Sequence, residues 1–155
     1  MLSDRLFDLA NIYILPFWFL MIVLPNLNLT KKVMKSYLIY IPLIFLYIYY
    51  LVTSFSFESA QALGNFQPAD IATLLSSEKT AAAAWIHFLA IDLFTGRWIY
   101  WQGQEKNIWT IHSLIICVFL CPVALLSHFV TEWLFYKDND GDRNSAEAKT
   151  TADVN

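Results

Sequence analysis

The chain has 155 residues, of which 57% are hydrophobic and 15% charged, with a formal net charge of −3. Soluble domains carry about 25% charged residues, so this chain has too little charge to coat a soluble globule and reads as a membrane protein. The small acidic balance, with no basic block, gives no footing for nucleic acid. Four apolar spans follow in chain order. The first, Leu6–Leu24, is too long for the apolar core of a secretory signal and lacks a small-residue cleavage pattern, so it reads as a retained helix. Pro16 is expected to kink it, and Pro25, Asn26 and Asn28 to end it. The second span is Tyr37–Phe55. Ser56–Lys79 is more polar and reads as a loop with a short interfacial helix near Ala69–Leu75. The third span, Thr80–Tyr100, opens on four alanines that allow close packing. The fourth is Ile108–Phe135. The expected architecture is all-α, a four-helix transmembrane bundle over residues 1–136, followed by a disordered polar tail over 137–155. Lys31, Lys32 and Lys35 place the first connecting loop on the cytoplasmic side. Cys117 and Cys121 sit one turn apart with side chains running roughly parallel, which disfavours a disulfide between them.

The third span carries the chemistry. His87, Asp92 and Arg97 stand in an otherwise apolar stretch, where one ionisable residue costs roughly 2.5–3.5 kcal/mol at the centre of a membrane helix. Such residues face protein or trapped water. At about 100° per residue the three do not share a face: each lies about 140° around from the one before. On the fourth span Cys117, Cys121, His128 and Glu132 fall within about 60° of one another, with His112 well off that stripe. With a tight turn near Gly103-Gln104 and straight antiparallel helices, Arg97 comes level with Ile111 and His112, Asp92 with Ile116, and His87 with Cys121.

The run Trp85-Ile86-His87-Phe88-Leu89-Ala90-Ile91-Asp92-Leu93-Phe94-Thr95-Gly96-Arg97-Trp98 resembles the signature of the abscisic-acid-deficiency-four-like family. These are small four-helix membrane proteins of plants, algae, cyanobacteria and other bacteria. The resemblance covers the chain from the first helix to about Leu126. It departs in the fourth span, where Cys121-Pro122-Val123-Ala124 stands in place of a Gly-Pro followed by another Gly. Plant members are needed to make neoxanthin, an allenic carotenoid, from violaxanthin, an epoxide carotenoid. The resemblance implies epoxide opening with proton removal, an isomerisation needing no redox cofactor. It also implies an integral, multi-pass protein of a bacterial plasma or thylakoid membrane, or of a chloroplast membrane. The implied partners are membrane lipid and a carotenoid or other isoprenoid lipid, with a homo- or hetero-oligomer left open.

Each polar residue has a chemical and a structural reading. Asp92 is the candidate general acid, its pKa raised by burial so that it can protonate an epoxide oxygen; otherwise it holds two helices by a hydrogen bond or ion pair. His87 and His112 are candidate bases, and His87 has a structural alternative as a hydrogen-bonded histidine. Arg97 would set the local field, or else snorkel to lipid phosphates and cap its helix. A haem at His87 would need a second histidine at its depth, where the fourth span offers Cys121. Cys117, Cys121 and His128 differ too much in depth for one metal. Tyr40, Tyr47 and Tyr50 form a loose aromatic stripe suited to packing or to a flat ring. Asp138, Asp140, Gly141 and Glu147 match part of a calcium loop, but Tyr136 stands where its first Asp belongs. Asn28-Leu29-Thr30 matches a glycosylation acceptor. Two functions are thus in play: an isomerase of an epoxy-carotenoid, and a non-catalytic pigment-binding or assembly subunit.

Overall fold

The computed structural model describes residues 2–54, 64 and 67–152, with side chains described as far as residue 136. Among these there are seven α-helices: α1 Leu2–Val23, α2 Asn28–Lys35, α3 Ile41–Ser54, α4 Pro68–Leu75, α5 Glu78–Lys106, α6 Ile111–Cys117 and α7 Cys121–Ala152. A 3-10 turn, Leu38–Tyr40, leads into α3. The chain divides into two compact units, Met1–Phe94 and Thr95–Asn155.

In the first unit, Ala10, Ile14, Trp18 and Met21 recur at three- and four-residue spacing and form the buried stripe of α1. Ala83, Ile86, Leu89 and Leu93 do the same on α5, and Leu43 and Tyr50 on α3. α1 and α3 run antiparallel, because the Tyr13 hydroxyl donates to the Ile39 carbonyl (3.0 Å) while the Tyr50 hydroxyl donates to that of Ser3. α5 joins them through Trp85, whose indole N–H donates to Asn11 Oδ1 (2.8 Å). The amphipathic α2 turns Thr30 and Met34 inward, four residues apart, and Lys31, Lys32 and Lys35 outward. Thr30 Oγ1 donates to the Leu24 carbonyl (2.6 Å), which satisfies a group left over where Pro25 stops α1. The expected helix near Ala69–Leu75 is α4, opened by Pro68 in its first turn. The expected loop over Ser56–Lys79 lies in part outside the described residues.

In the second unit α6 folds back on α7. Ser113 Oγ and Ser127 Oγ are 3.1 Å apart, and His112 Nε2 is 2.9 Å from Thr131 Oγ1. In one straight helix, residues 113 and 127 would stand about 21 Å apart. The expected continuous span Ile108–Phe135 is therefore a hairpin. Pro122 explains the break: it has no N–H to give and its ring crowds the carbonyl four residues back, so one helix ends and a new one starts with proline in its first turn.

This overturns the four-helix transmembrane bundle and the integral, multi-pass placement that went with it. Among the described residues one helix is long and apolar enough to cross a membrane, Ser3–Val23 within α1. There are two only if Asn28–Lys35 and Leu38–Ser54, bent by 70° at their junction, form one broken span. α5 has the length at 29 residues, but His87, Asp92 and Arg97 interrupt its apolar run. α6, with seven residues, is too short to cross. Only 17% of the α1 span is buried, so it does not pack as the core helix of a soluble domain does.

Candidate functional site

The second unit gathers polar side chains at the corner where α5, α6 and α7 meet. The corner is set by the end of α5. Asn107 takes a left-handed conformation (φ 54°), and the Ile108 N–H donates back to the Gly103 carbonyl (3.1 Å), closing the helix. Thr110 then lies against Gly103 so closely that a Cβ there would stand 2.5 Å from its Oγ1 and 2.8 Å from its Cγ2. This turn leads from α5 into α6, with Lys106 just before it on Glu132 and His112 just after it on Thr131.

Four ionisable groups result. Lys106 Nζ pairs with Glu132 Oε1, both side chains being partly exposed. The other carboxylate oxygen, Oε2, stands 3.8 Å from His128 Nε2. His128 is fully buried, with Trp98 edge-on at 5.2 Å between ring centres. Neither of its ring nitrogens has a hydrogen-bond partner. Burial pushes the His128 imidazole below its ordinary pKa; the Glu132 carboxylate pulls it up, and the charges of Lys106 and His112 push it down. His128 is thus a neutral imidazole near pH 7. His112 is bound through Nε2 to Thr131, its Nδ1 is buried without a partner, and the exposed Trp109 lies 5.6 Å away between ring centres. His112 and Thr131 line an open groove of about 610 Å³ with Ile108, Trp109, Leu134 and Phe135. The arrangement sets one imidazole, His112, on a mostly apolar groove, with the Lys106–Glu132 ion pair and the buried His128 elsewhere in the corner.

The residues singled out from sequence are distributed differently. His87 is exposed on α5 in the first unit, its ring 5.7 Å from that of Tyr47. Asp92, also in the first unit, and Arg97, in the second, are half-buried, and each has an interaction partner. His112 is the one that enters the polar corner. Of the tyrosine stripe, Tyr40 and Tyr50 are buried and Tyr47 is half-buried. No disulfide joins Cys117 and Cys121, both buried. Among the described residues no three His, Cys, Asp or Glu side chains are grouped as metal ligands. The side chains of Asp138, Asp140, Gly141 and Glu147 lie outside the described residues. Lys106, Thr131 and the pairing of His128 with Glu132 were not singled out from sequence. The available signal was the buried stripe Cys121, Ala124, His128 continuing to Glu132, with a lysine just before the turn.

Comparison with known proteins places this sequence in a family. The ABA DEFICIENT 4-like family matches residues 5–128, which take in most of α1, all of α5, His112 and His128. Protein ABA DEFICIENT 4, chloroplastic, of Arabidopsis thaliana is 40% identical over 136 residues. That alignment covers 84% of this chain and 62% of the plant protein, so the chain spans less than two thirds of that relative's length. No solved structure matches the chain. A family match over most of the sequence, and a relative at this identity, lead to one conclusion: the chain belongs to the ABA DEFICIENT 4-like family.

Proposed function

We propose that this protein acts at a membrane in carotenoid (xanthophyll) metabolism, isomerising an epoxy-carotenoid to an allenic product as in neoxanthin synthesis. The carrying observation is the 40% identity to the chloroplastic ABA DEFICIENT 4 protein, across the stretch that holds Trp85–Trp98. The groove beside His112 supports it, since its walls are mostly apolar and can take the end ring of a carotenoid. The reaction is internally balanced. One epoxide C–O bond breaks and its oxygen takes up a proton. A proton leaves a polyene carbon, and the C–H electron pair becomes the new double bond of the allene. One acid and one base suffice, with no net redox change. Asp92 is the proposed acid, being a carboxyl half-buried on an apolar helix. His87 and His112 are the candidate bases, and Arg97 sets the local field.

Attachment to a membrane is supported by exposed apolar side chains along α1, α3 and α7, among them Ile12, Phe19, Phe45, Val52, Leu126 and Trp133. One observation favours the non-catalytic alternative. A second groove, of about 540 Å³ between α1 and α3, is lined by Leu9, Ile12, Tyr13, Leu43, Phe45 and Tyr49 and has no acid or base beyond tyrosine. Such a groove could hold a polyene without reacting with it. The test expresses the protein in violaxanthin-containing membranes and follows the pigments by chromatography. The proposal expects an allenic product from wild type and loss of turnover in Asp92→Asn. Violaxanthin that binds folded protein and is recovered unchanged would replace the isomerase with the pigment-binding role.

A further inference from the structure

We infer that the proton-accepting atom of the groove is Nδ1 of His112, and that Thr131 is the positioning residue that keeps it bare. The inference rests on the isomerase reading for its substrate, an oxygenated polyene, but its geometry stands apart from that reading. Thr131 Oγ1 lies 2.8 Å from the Ser127 carbonyl oxygen and 2.9 Å from His112 Nε2. A hydroxyl has one proton to donate. The Ser127 carbonyl can only accept, so the Thr131 proton goes there. The Thr131 oxygen must then accept from His112, which places the imidazole proton on Nε2. In the neutral ring that leaves Nδ1 as a lone pair.

Burial points the same way. Nδ1 of His112 is buried with no hydrogen-bond partner. A proton there would be an orphaned buried donor, the rarer and costlier arrangement. Helix geometry holds the relay in place: Ser127 and Thr131 are four apart on α7, so the threonine bonds back along its own helix while facing α6. Of the titratable groups at the corner, His128 on α7 feels the charge of His112, and it also faces Lys106 from α5 and Glu132 from α7, which are paired with each other. The exposed Trp109 ring packs against that of His112, tilted by 50° with 5.6 Å between ring centres, and both side chains line the groove. In the reaction, Nδ1 takes the proton that leaves the polyene carbon as the epoxide C–O bond breaks.

The test labels the histidine ring nitrogens with 15N in the full-length protein, in lipid nanodiscs without pigment, and reads the tautomer of His112 by NMR. The expected result is a protonated Nε2 and an unprotonated Nδ1 in wild type, a tautomer mixture in Thr131→Val, and return to the wild-type state in Thr131→Ser. An Nδ1–H tautomer in wild type overturns the inference, and so does a Thr131→Val spectrum identical to wild type. Should Thr131→Val fail to fold, the wild-type spectrum still decides. In the pigment assay, Thr131→Val should lose roughly tenfold or more in kcat with KM little changed, and Thr131→Ser should recover it. Because the tautomer is read without substrate, a chain that turns over no violaxanthin refutes the isomerase reading alone, whereas a wrong tautomer refutes this one.

Discussion

Gly103 sets the corner on which the site depends, and Gly103→Ala tests how tightly. The new methyl would meet Thr110 Oγ1 at 2.5 Å and Cγ2 at 2.8 Å, with the Ile108 carbonyl oxygen at 3.1 Å. The first two belong to one short, β-branched side chain that is itself buried, so it has few rotamers to retreat into. Overpacking of this kind costs about 1–3 kcal/mol. Alanine in place of glycine within a helix returns about 1 kcal/mol. The single variant should therefore be less stable by up to about 2 kcal/mol. Thr110 precedes α6 but makes no side-chain capping hydrogen bond, so Thr110→Ala loses only its apolar packing, about 1 kcal/mol. In Gly103→Ala/Thr110→Ala the threonine contacts are gone and only the Ile108 carbonyl stays close, at 3.1 Å, so the double variant should lie close to wild type. The cycle then gives a favourable coupling of about 1–3 kcal/mol between the two substitutions. Reversible unfolding of all four proteins in one detergent, followed by circular dichroism, measures it. A Gly103→Ala protein at least as stable as wild type, with additive energies across the cycle, would refute the close packing of α5 on the turn.

Three further outcomes are expected. His128 has its pKa lowered in the folded state, so the unfolded chain binds the proton first; stability is whole above the ordinary histidine value near 6.5 and falls as pH drops through it. His128→Leu removes this dependence, and equal pH slopes in variant and wild type between pH 7 and 5 would contradict the buried, neutral imidazole. Glu132→Ala leaves Lys106 without its partner in a partly buried place and should cost about 1–3 kcal/mol. Lys106→Met/Glu132→Leu should recover most of that, and additivity of the two single losses would deny that the pair interacts. Lys31, Lys32 and Lys35 project from α2, and residues 9–54 contain no Asp or Glu to neutralise them. Replacing all three by Gln should weaken flotation with phosphatidylglycerol vesicles, by about 1 kcal/mol per lysine at low salt, and leave phosphatidylcholine vesicles unaffected. Equal loss on both lipids would assign the effect to folding.

The helical class and the element at Ala69–Leu75 were legible because apolar periodicity and a proline at a helix start are local signals. The interruption of α5 by His87, Asp92 and Arg97 is plain in the sequence, but the reading of that stretch as a membrane span does not survive it. These three side chains take α5 below the apolar length a span requires. The corner was hidden for a different reason. His112 and Thr131 are nineteen residues apart, and on a straight helix 108–135 they would be about 28 Å from each other. Reading that segment as one span moved them to different depths and left His112 off the stripe that holds His128 and Glu132. The local signal for the reversal is Pro122, which breaks the hydrogen-bond ladder inside the expected span 108–135. Once the chain turns there, Ser113 meets Ser127, His112 meets Thr131, and the Thr131 hydroxyl has both a carbonyl and an imidazole within reach. A tautomer argument needs those two distances together. Composition, periodicity and spacing supply the residues of such a relay, but only the hairpin brings its two ends to one hydroxyl group.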